Sequence, residues 1–362
     1  MPLDHFVTLG RSGLRVSPLC LGTMTFGQDW GWGSAPEESA RILDRYLDLG
    51  GNFIDTANVY TKGHSEAIIG EHLGKASSRR QRAVIATKFF GSMLTGDPNS
   101  GGSGRKAIAA ACDESLRRLQ TDYIDLYWMH CWDRNTPIEE TLRALDDLVA
   151  AGKVRYIGFS DTPAWKAMEA QMIAKCRGWT PLIALQLEYS LLERTIEGEL
   201  VPMAIEHGLG ITPWSPLKSG VLSGKYTRAN AGAVKADRGE WATAALTEKA
   251  YAVIDELIKI SKELGSTPAR VALSWVQHRP GIASTIIGAR TLQQLEDNLA
   301  ALDVTLTTQH AERLNALTKP ALNFPHDFVY RGAEIFSASG TTINAVTAKV
   351  NPMAPASEKD RY

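Results

Sequence analysis

The chain has 362 residues, with 39 basic and 40 acidic side chains and 44% hydrophobic residues. This length suffices for one large α/β barrel or for two ordinary domains. The balanced charge argues against a nucleic-acid-binding protein and against a protein that binds anionic membranes. The longest apolar runs are strand-sized, far below the roughly 20 residues that a membrane-spanning helix needs.

The sequence also predicts the cellular location of the protein. No cationic segment followed by an apolar one opens it, so we see no secretory signal. The four cysteines lack paired short spacing, which argues against a zinc site and against a disulfide framework; they are Cys20, Cys112, Cys131 and Cys176. We therefore expect a cytoplasmic protein with reduced cysteines and no metal centre.

Strand-like and helix-like segments alternate along the chain after a predicted hairpin at 6–18, which turns at Gly10–Gly13. Eight β-branched and aromatic runs predict strands at 19–24, 53–55, 83–88, 123–129, 154–159, 182–187, 210–214 and 285–287. Helical spacing and end signals predict helices at 36–49, 65–73, 106–119, 137–150, 163–175, 199–206, 247–264, 268–277 and 292–301.

Near-continuous apolar strands that alternate with helices indicate a parallel sheet covered by helices. Eight such units are the number found in a closed (β/α)8 barrel. The alternative, an open doubly wound sheet, would carry GxGxxG after the first strand, and this chain has none there. We therefore predict an α/β protein with a TIM-barrel fold at 1–319 and a C-terminal extension at 320–362.

Three long segments interrupt the alternation, at 91–104, at 218–245 and after Lys319. The first two follow the third and seventh strands, so we expect them to be loops on the active face of the barrel. The last segment carries several aromatic residues, which predict that part of it packs; they are Phe324, Phe328, Tyr330 and Phe336.

Polar residues follow nearly every predicted strand. In a parallel barrel the substrate binds at the carboxyl ends of the strands, so these residues are expected around one rim. In chain order they are Asp55 and Tyr60, Lys88, His130, Ser160 and Asp161, Gln186, Trp214 and Ser215, and Gly288 and Arg290. Singly, each has a structural explanation; together, they favour a catalytic site.

Four of these residues are expected to form a proton-delivery group. A free phenol has a pKa of about 10, and the ammonium of Lys88 is expected to lower the pKa of Tyr60. Asp55 is expected to keep the buried Lys88 charged. His130 can donate a hydrogen bond to a carbonyl oxygen and stabilise negative charge that develops there. The set is suited to protonating an alkoxide as it forms.

A hydride donor is still required, because none of these side chains carries a hydride. The pattern predicts a nicotinamide cofactor bound without a Rossmann motif. Trp214 offers an aromatic face for the ring, although it could equally be a core aromatic. The hydrogen-bonding groups of Ser160, Asp161 and Gln186 suit the carboxamide of the ring.

The phosphates of such a cofactor have two predicted contact regions. The first is the loop after the seventh strand, where backbone donors, a hydroxyl and Lys218 are close together; its candidate residues are Ser215, Leu217, Ser219 and Gly220. The second is the start of the last barrel helix, which follows Gly288 and Arg290 and favours a phosphate. Arg290 there predicts NADP rather than NAD.

These segments resemble the aldo-keto reductase family over roughly residues 6–302. NFIDTANVYTKGHSE resembles the family's aspartate-and-tyrosine motif, TKFF its lysine strand and YIDLYWMHCWD its histidine strand. IGFSDTPAW, ALQLEYSLLER and TPWSPLKSGVLSGKY are similar to its cofactor-binding segments, and TIIGARTLQQLEDNL to its adenosine-phosphate segment.

The resemblance implies a (β/α)8 reductase whose N-terminal hairpin caps the barrel bottom and whose usual cofactor is NADPH/NADP+. It implies a tetrad of Asp55, Tyr60, Lys88 and His130, with Tyr60 as general acid and base. It also implies that Arg290 and Gln294 contact the 2′-phosphate and that Asn298 lies near the adenine. One departure is Asp161, where the commonest family pattern has asparagine, which both donates and accepts.

Substrate and rival functions stay open at this point. Trp30 and Trp32 predict an aromatic-lined pocket that suits aryl aldehydes, sugars or polycyclic ketones equally. The main expectation is reversible reduction of an aldehyde or ketone by NADPH. A cofactor-binding regulatory subunit with negligible turnover is a second candidate, and an aldolase or isomerase that uses Lys88 as a Schiff base is a third. The sequence does not predict the oligomeric state.

Overall fold

The computed structural model describes residues 1–230 and 240–361. Its central sheet has eight parallel strands in the order β10-β3-β4-β5-β6-β7-β8-β9. These strands are β3 (Leu19–Gly22), β4 (Phe53–Asp55), β5 (Val84–Phe89), β6 (Ile124–Met129), β7 (Val154–Ser160), β8 (Leu182–Glu188), β9 (Gly210–Trp214) and β10 (Thr285–Gly288). Ile211 of β9 pairs in parallel with Ile282, just before β10, which closes the ring. The predicted (β/α)8 barrel is confirmed.

Most of the helices cover the outside of the barrel. In chain order, the helices are α1 (Pro36–Asp48), α2 (His64–Leu73), α3 (Arg105–Arg118), α4 (Ile138–Ala150), α5 (Ala164–Arg177), α6 (Leu200–His207), α7 (Glu240–Ala244), α8 (Glu248–Glu263), α9 (Pro268–Gln277), α10 (Leu292–Leu299), α11 (Thr308–Thr318) and α12 (His326–Ala338). Of these, α7 and α12 lie in the segments that extend from the barrel. The helices α1 to α6 and α8 to α10 begin and end within two residues of their predicted bounds. Threonine side chains cap α8, α9 and α10 by accepting a hydrogen bond from a first-turn amide.

An antiparallel hairpin of β1 (Val7–Thr8) and β2 (Arg15–Val16) closes the bottom of the barrel. Leu9 and Val16 are fully buried in the cluster that fills the barrel interior. Gly10 lies so close to β8 and β9 that a Cβ there would be 2.2 Å from the carbonyl oxygen of Ile183. Because the interior is filled and the amino end is capped, the open end of the barrel is the carboxyl end of the strands.

The segments outside the barrel contain more regular structure than predicted. The segment at 218–245 includes short 3₁₀ helices at Val221–Ser223 and Arg228–Asn230 and the helix α7, while 231–239 lie outside the described residues. The C-terminal extension forms α12 and a small hairpin of β11 (Thr342–Ile343) and β12 (Val346–Thr347).

The aromatic residues that suggested packing for part of the extension are themselves exposed where their side chains are described. Phe324 is 83% exposed, and Phe328 and Phe336 are also exposed, while the side chain of Tyr330 is not among those described. These phenylalanines contact one another instead, with Phe328 and Phe336 stacked at 6.2 Å. His326 joins the extension to the barrel through a 2.8 Å contact with Glu199. Within the described part of the chain, every helix is too short or too polar to cross a membrane.

Candidate active site

Lys88, near the end of β5, is the centre of a polar cluster at the open end of the barrel. Its side chain is fully buried, and its Nζ donates to Asp55 Oδ2 at 2.5 Å, to the carbonyl oxygen of Thr56 at 2.8 Å and to the Tyr60 hydroxyl at 3.0 Å. An ammonium has three donors, and all three have acceptors here. The buried charge is therefore fully satisfied.

The charge on Lys88 is stable for the reason that the sequence suggested. Burial by itself lowers the pKa of this lysine, but the adjacent Asp55 carboxylate and the Tyr60 hydroxyl outweigh burial and raise the pKa above its ordinary value. Lys88 is consequently a cation at any physiological pH. Breaking a buried ion pair of this kind is costly because one charge is then left without a partner.

Asp55 is held from two sides of the barrel. Its Oδ2 contacts Lys88 on the adjacent strand β5, and its Oδ1 accepts a 2.9 Å hydrogen bond from Gln186 Nε2 on β8. In the closed ring, β4 and β8 are separated by three strands in either direction, so the Asp55–Gln186 bond crosses the barrel. Gln186 was predicted to bind a cofactor carboxamide, and its second amide hydrogen and its oxygen are not used by this bond.

Tyr60 lies in a strained turn after β4. The next two residues, Thr61 and Lys62, have φ angles of 46° and 56°, which non-glycine residues rarely adopt. The turn is fixed because Thr61 Oγ1 donates to the carbonyl oxygen of Phe26 at 2.7 Å and accepts from the amide of Ser65 at 3.0 Å. This local fold directs the phenol towards Lys88.

The expected lowering of the Tyr60 pKa is wrong for the protein alone. Burial raises the pKa of Tyr60, the Lys88 ammonium opposes that rise, and the negative charge of Asp55 adds to it, so the net pKa is above the ordinary value. The sequence argument considered the effect of the Lys88 ammonium on the phenol but not the burial of the phenol, which is the largest contribution to its pKa. Tyr60 is therefore a neutral phenol, in the form that can donate a proton.

His130 lies beside the phenol at the end of β6. The two rings meet edge to face, with centroids 5.9 Å apart and planes at 79°. Burial, assisted by the nearby Lys88 charge, lowers the pKa of His130 to about 3. The imidazole is therefore neutral near pH 7, and one ring nitrogen can donate a hydrogen bond.

Ser160 is the first of the predicted cofactor residues and has the clearest signature of a missing partner. It ends β7 and is 1% exposed, and within the described residues its Oγ has no hydrogen-bond partner. A buried hydroxyl without a partner is costly, so Ser160 has an unused hydrogen-bonding group that a polar ligand group can satisfy. Ser160 therefore fits the carboxamide contact that the sequence predicted.

Asp161 and Trp214 contact each other beside Ser160. The indole Nε1 of Trp214 donates to Asp161 Oδ1 at 3.0 Å. Desolvation by the surrounding protein raises the pKa of the Asp161 carboxyl to about 6, and the hydrogen bond from the indole partly opposes this rise. Solvent still reaches the side chain from the open end of the barrel. Trp214 is partly buried at the rim, where it packs against the interior cluster and leaves part of its indole exposed.

The loop after β9 has an unusual backbone. Ser215, Lys218 and Ser219 have φ angles of 53°, 46° and 55°, and Gly220 follows at 87°. Several such residues close together are typical of functional sites and of backbone anion cradles. The loop is braced by a hydrogen bond from the Ser219 amide to Ser215 Oγ, whereas Leu217 lies partly buried against the main core. Lys218, expected near a pyrophosphate, forms a 2.5 Å ion pair with Glu188.

The predicted adenosine-phosphate segment lies at the start of α10. The Gln294 side chain accepts a 2.9 Å hydrogen bond from the backbone amide of Arg290, which fixes the entry to the helix. Asn298 is buried, and its amide nitrogen donates to the carbonyl oxygen of Gly288 at 3.0 Å. The segment is therefore an ordered helix N-terminus with an arginine just before it, a combination that favours a phosphate.

Two tryptophans line the mouth above the phenol. Trp30 and Trp32 are 5.5 Å apart, and Trp30 meets Tyr60 edge to face at 6.4 Å. Their loop is anchored to α2 by Asp29, whose carboxylate contacts His64 Nδ1 at 2.9 Å. The predicted pocket residues are thus next to the candidate acid.

Comparison with known proteins gives the family. The family model described as the aldo/keto reductase family matches residues 18–319, which is most of the chain. The protein belongs to the aldo-keto reductase family. It is 41% identical to the uncharacterised oxidoreductase YrpG of Bacillus subtilis over 321 residues, which cover 86% of this chain and 95% of the relative.

Two fungal relatives have more specific names. An aryl-alcohol dehydrogenase of Pestalotiopsis microspora is 35% identical over 360 residues, covering 97% of this chain and 91% of its own. An NADP(+) aryl-alcohol dehydrogenase of Phanerodontia chrysosporium is 34% identical over 333 residues, covering 87% of this chain and 86% of its own. The chain is therefore an oxidoreductase of the aldo-keto reductase family, whose members generally use NAD(P)H.

Sequence reasoning missed three contacts of this aldo-keto reductase site. The carbonyl oxygen of Thr56 holds Lys88, and no side-chain pattern reports a backbone acceptor. Glu188 forms an ion pair with Lys218. Its presence at the site could have been predicted, because Glu188 lies two residues beyond Gln186 and side chains two apart on a strand share one face. The bond between Gln186 and Asp55 depends on barrel geometry and has no local signal.

Proposed function

We propose that this aldo-keto reductase transfers a hydride reversibly between NADPH and the carbonyl carbon of an aldehyde or ketone, with Tyr60 as general acid and base. The observation that carries the proposal is the Lys88 ammonium, which is bonded at once to the Asp55 carboxylate and to the Tyr60 hydroxyl. This arrangement places a neutral acid next to a permanent buried cation. It is suited to a reaction that makes an alkoxide and must protonate it.

Each side chain has a defined task in this proposal. The neutral His130 donates its N–H to the substrate carbonyl oxygen and orients it. Tyr60 gives its proton to the oxygen as negative charge forms there, and the phenolate that results is stabilised by Lys88 at 3.0 Å. Asp55 keeps Lys88 charged and in place. A bound NADPH supplies the hydride.

Other residues are proposed to hold the cofactor. Ser160 and Gln186 offer hydrogen bonds to the carboxamide, and Trp214 offers its indole face. The strained loop that contains Ser215, Leu217, Ser219 and Gly220 is proposed for the pyrophosphate. We further propose that Gly288, Arg290, Gln294 and Asn298 bind the 2′-phosphate and adenosine, which favours NADP over NAD.

The substrate class that fits best is an aryl aldehyde and its alcohol. Trp30 and Trp32 form an aromatic wall next to Tyr60, and flat aromatic rings pack favourably against such a wall. Two relatives that match most of this chain are named aryl-alcohol dehydrogenases. We also propose a cytoplasmic location, which the four free cysteines suit, and a domain boundary near residue 319.

The rival functions have weaker support. A Schiff-base enzyme needs a neutral amine, whereas the ion pair with Asp55 raises the pKa of Lys88 above its ordinary value. A regulatory subunit without turnover could keep the same four side chains, so the argument against it comes from the relatives. The two fungal relatives carry the names of dehydrogenases.

The test has two steps. First, the purified protein is titrated with NADPH and NADH while tryptophan fluorescence is recorded; we expect quenching and a preference for NADPH. Second, loss of absorbance at the reduced-nicotinamide band is followed with benzaldehydes, aliphatic aldehydes and sugars at equal concentrations. Consumption that is fastest with benzaldehydes supports the proposal. Tight binding without turnover on any carbonyl would favour the regulatory subunit, and no binding would contradict both.

A further inference from the structure

Asp161 departs from the family pattern at a position that contacts the proposed stacking residue. The indole nitrogen of Trp214 donates a hydrogen bond to Asp161 Oδ1 at 3.0 Å. Asp161 therefore accepts the one hydrogen bond that the indole, which is proposed to stack on nicotinamide, can donate. An asparagine there could form the same bond through its amide oxygen. The carboxylate therefore differs from the amide in charge and in its inability to donate.

The charged groups around Asp161 leave its charge largely unmatched. Lys88 attracts it, but Lys88 is already paired with Asp55. Glu188 on β8 repels it and is itself paired with Lys218. Tyr60 and Cys131, the other titratable groups that respond to Asp161, are both neutral in their ordinary forms, and each has its pKa raised in part by this carboxylate.

Two observations point to a ligand at this place. The neighbouring Ser160 Oγ is buried without a partner among the described residues, so a hydroxyl immediately beside Asp161 can accept a hydrogen bond from a polar ligand group or donate one to it. Solvent reaches Asp161 itself from the open end, so the side chain is available for contact. With a pKa raised to about 6, mainly by desolvation, the carboxyl is still mostly ionised at pH 7 to 8.

We propose that the Asp161 carboxylate lies alongside the nicotinamide ring of the bound cofactor and selectively stabilises its oxidised, positively charged form. Asp161 is then a specificity-determining residue for the redox state of the cofactor, and this inference rests on the proposed function. NADPH carries a neutral ring and NADP+ a positive one, whereas the rest of the two molecules is the same. The chain therefore binds NADP+ more tightly, relative to NADPH, than it would with asparagine at 161.

Calorimetric titration of the wild-type protein and Asp161→Asn with NADP+ and with NADPH tests this inference without any turnover. For wild type, we expect the ratio of the NADPH Kd to the NADP+ Kd to rise as the pH is raised from 5.5 to 8, because Asp161 ionises. For Asp161→Asn, the ratio should be flat and about tenfold lower at pH 8, as for a partly screened ion pair. The 2′-phosphate ionises in the same pH range but cancels in the ratio.

A second variant separates charge from the positioning of the indole. Trp214→Phe keeps an aromatic ring and keeps Asp161 but removes the N–H donor. We expect it to weaken both cofactors to a similar extent and to retain the pH dependence of the ratio. If Trp214→Phe instead abolishes that dependence, or if Asp161→Asn has the wild-type ratio at pH 8, the inference is wrong. If neither cofactor binds wild type, the proposed function fails first.

Discussion

Tyr60→Phe separates catalysis from structure at the candidate site. The substitution removes one hydroxyl, which accepts a hydrogen bond from Lys88 Nζ at 3.0 Å. Lys88 keeps its bonds to Asp55 and to the carbonyl oxygen of Thr56, so the buried ammonium still has two acceptors. Because the lost bond is donated by a buried ammonium, its loss is expected to lower the free energy of unfolding by about 1.5–3 kcal/mol.

The expected effect on rate is much larger. Without a proton donor beside the substrate oxygen, kcat for carbonyl reduction should fall by at least about 10²-fold, which corresponds to roughly 2.7 kcal/mol or more in the activation barrier. NADPH affinity should stay close to the wild-type value, because the hydroxyl is assigned to the proton and not to the cofactor. The variant is thus predicted to be folded, to bind NADPH and to be nearly inactive.

Three measurements check this prediction together: urea unfolding, NADPH titration and steady-state kinetics with the best aldehyde. Tyr156→Phe is a matched control, because it removes a phenol hydroxyl from β7 at the hairpin end of the barrel. We expect this control to keep the wild-type kcat. Retention of most of the wild-type kcat by Tyr60→Phe would refute the assignment, and a parallel collapse of stability and rate would show that the hydroxyl has a structural role instead.

Three further predictions follow from the same geometry. Arg290→Ala should weaken NADPH binding by about tenfold or more while leaving NADH binding unchanged, and equal losses for both cofactors would contradict the 2′-phosphate role. Alcohol oxidation needs the phenolate of Tyr60, and because the pKa of Tyr60 is raised, the oxidation rate should increase towards alkaline pH. The pH profile of reduction should contain no step from His130, because the pKa of His130 is about 3. Gly158→Ala should lower the free energy of unfolding, measured in urea, by about 1–3 kcal/mol, because a Cβ at this position would lie 2.3 Å from the ring of Trp128. An unchanged midpoint of urea unfolding would show that the ring can move aside.

The order of the elements and the residues at the rim were predictable from sequence. Short apolar runs that end in an ionisable group place Asp55, Lys88 and His130 at strand ends, and a parallel barrel then brings such ends to one face. Lys88 was predicted at the end of a strand at 83–88 and lies in Val84–Phe89. These predictions needed only periodicity and the direction of parallel strands.

The electrostatics and the local backbone were not predictable in the same way. The sign of the Tyr60 pKa shift depends on how burial, Lys88 and Asp55 balance, which is a matter of distances. Phe90 and Asp161, which directly follow strands, have positive φ angles. Glycine usually marks such positions in a sequence, and it is absent from both. In the extension, the aromatic composition suggested packing, yet Phe324 is exposed. Composition does not predict whether another surface lies close enough to cover such a side chain.

The hydrogen bond from Gln186 to Asp55 has a consequence for how activity appears during folding. If strands β3 to β6 pair before β7 to β10, Lys88 and Asp55 are already neighbours on adjacent strands. Asp55 acquires its second partner, however, when β8 arrives on the far side of the ring. The half of the chain that ends near residue 150 therefore contains all four tetrad side chains and still lacks the brace that orients their carboxylate. A refolding chain should regain its helical signal before it regains activity, and a complementary second half should be required to restore the enzyme.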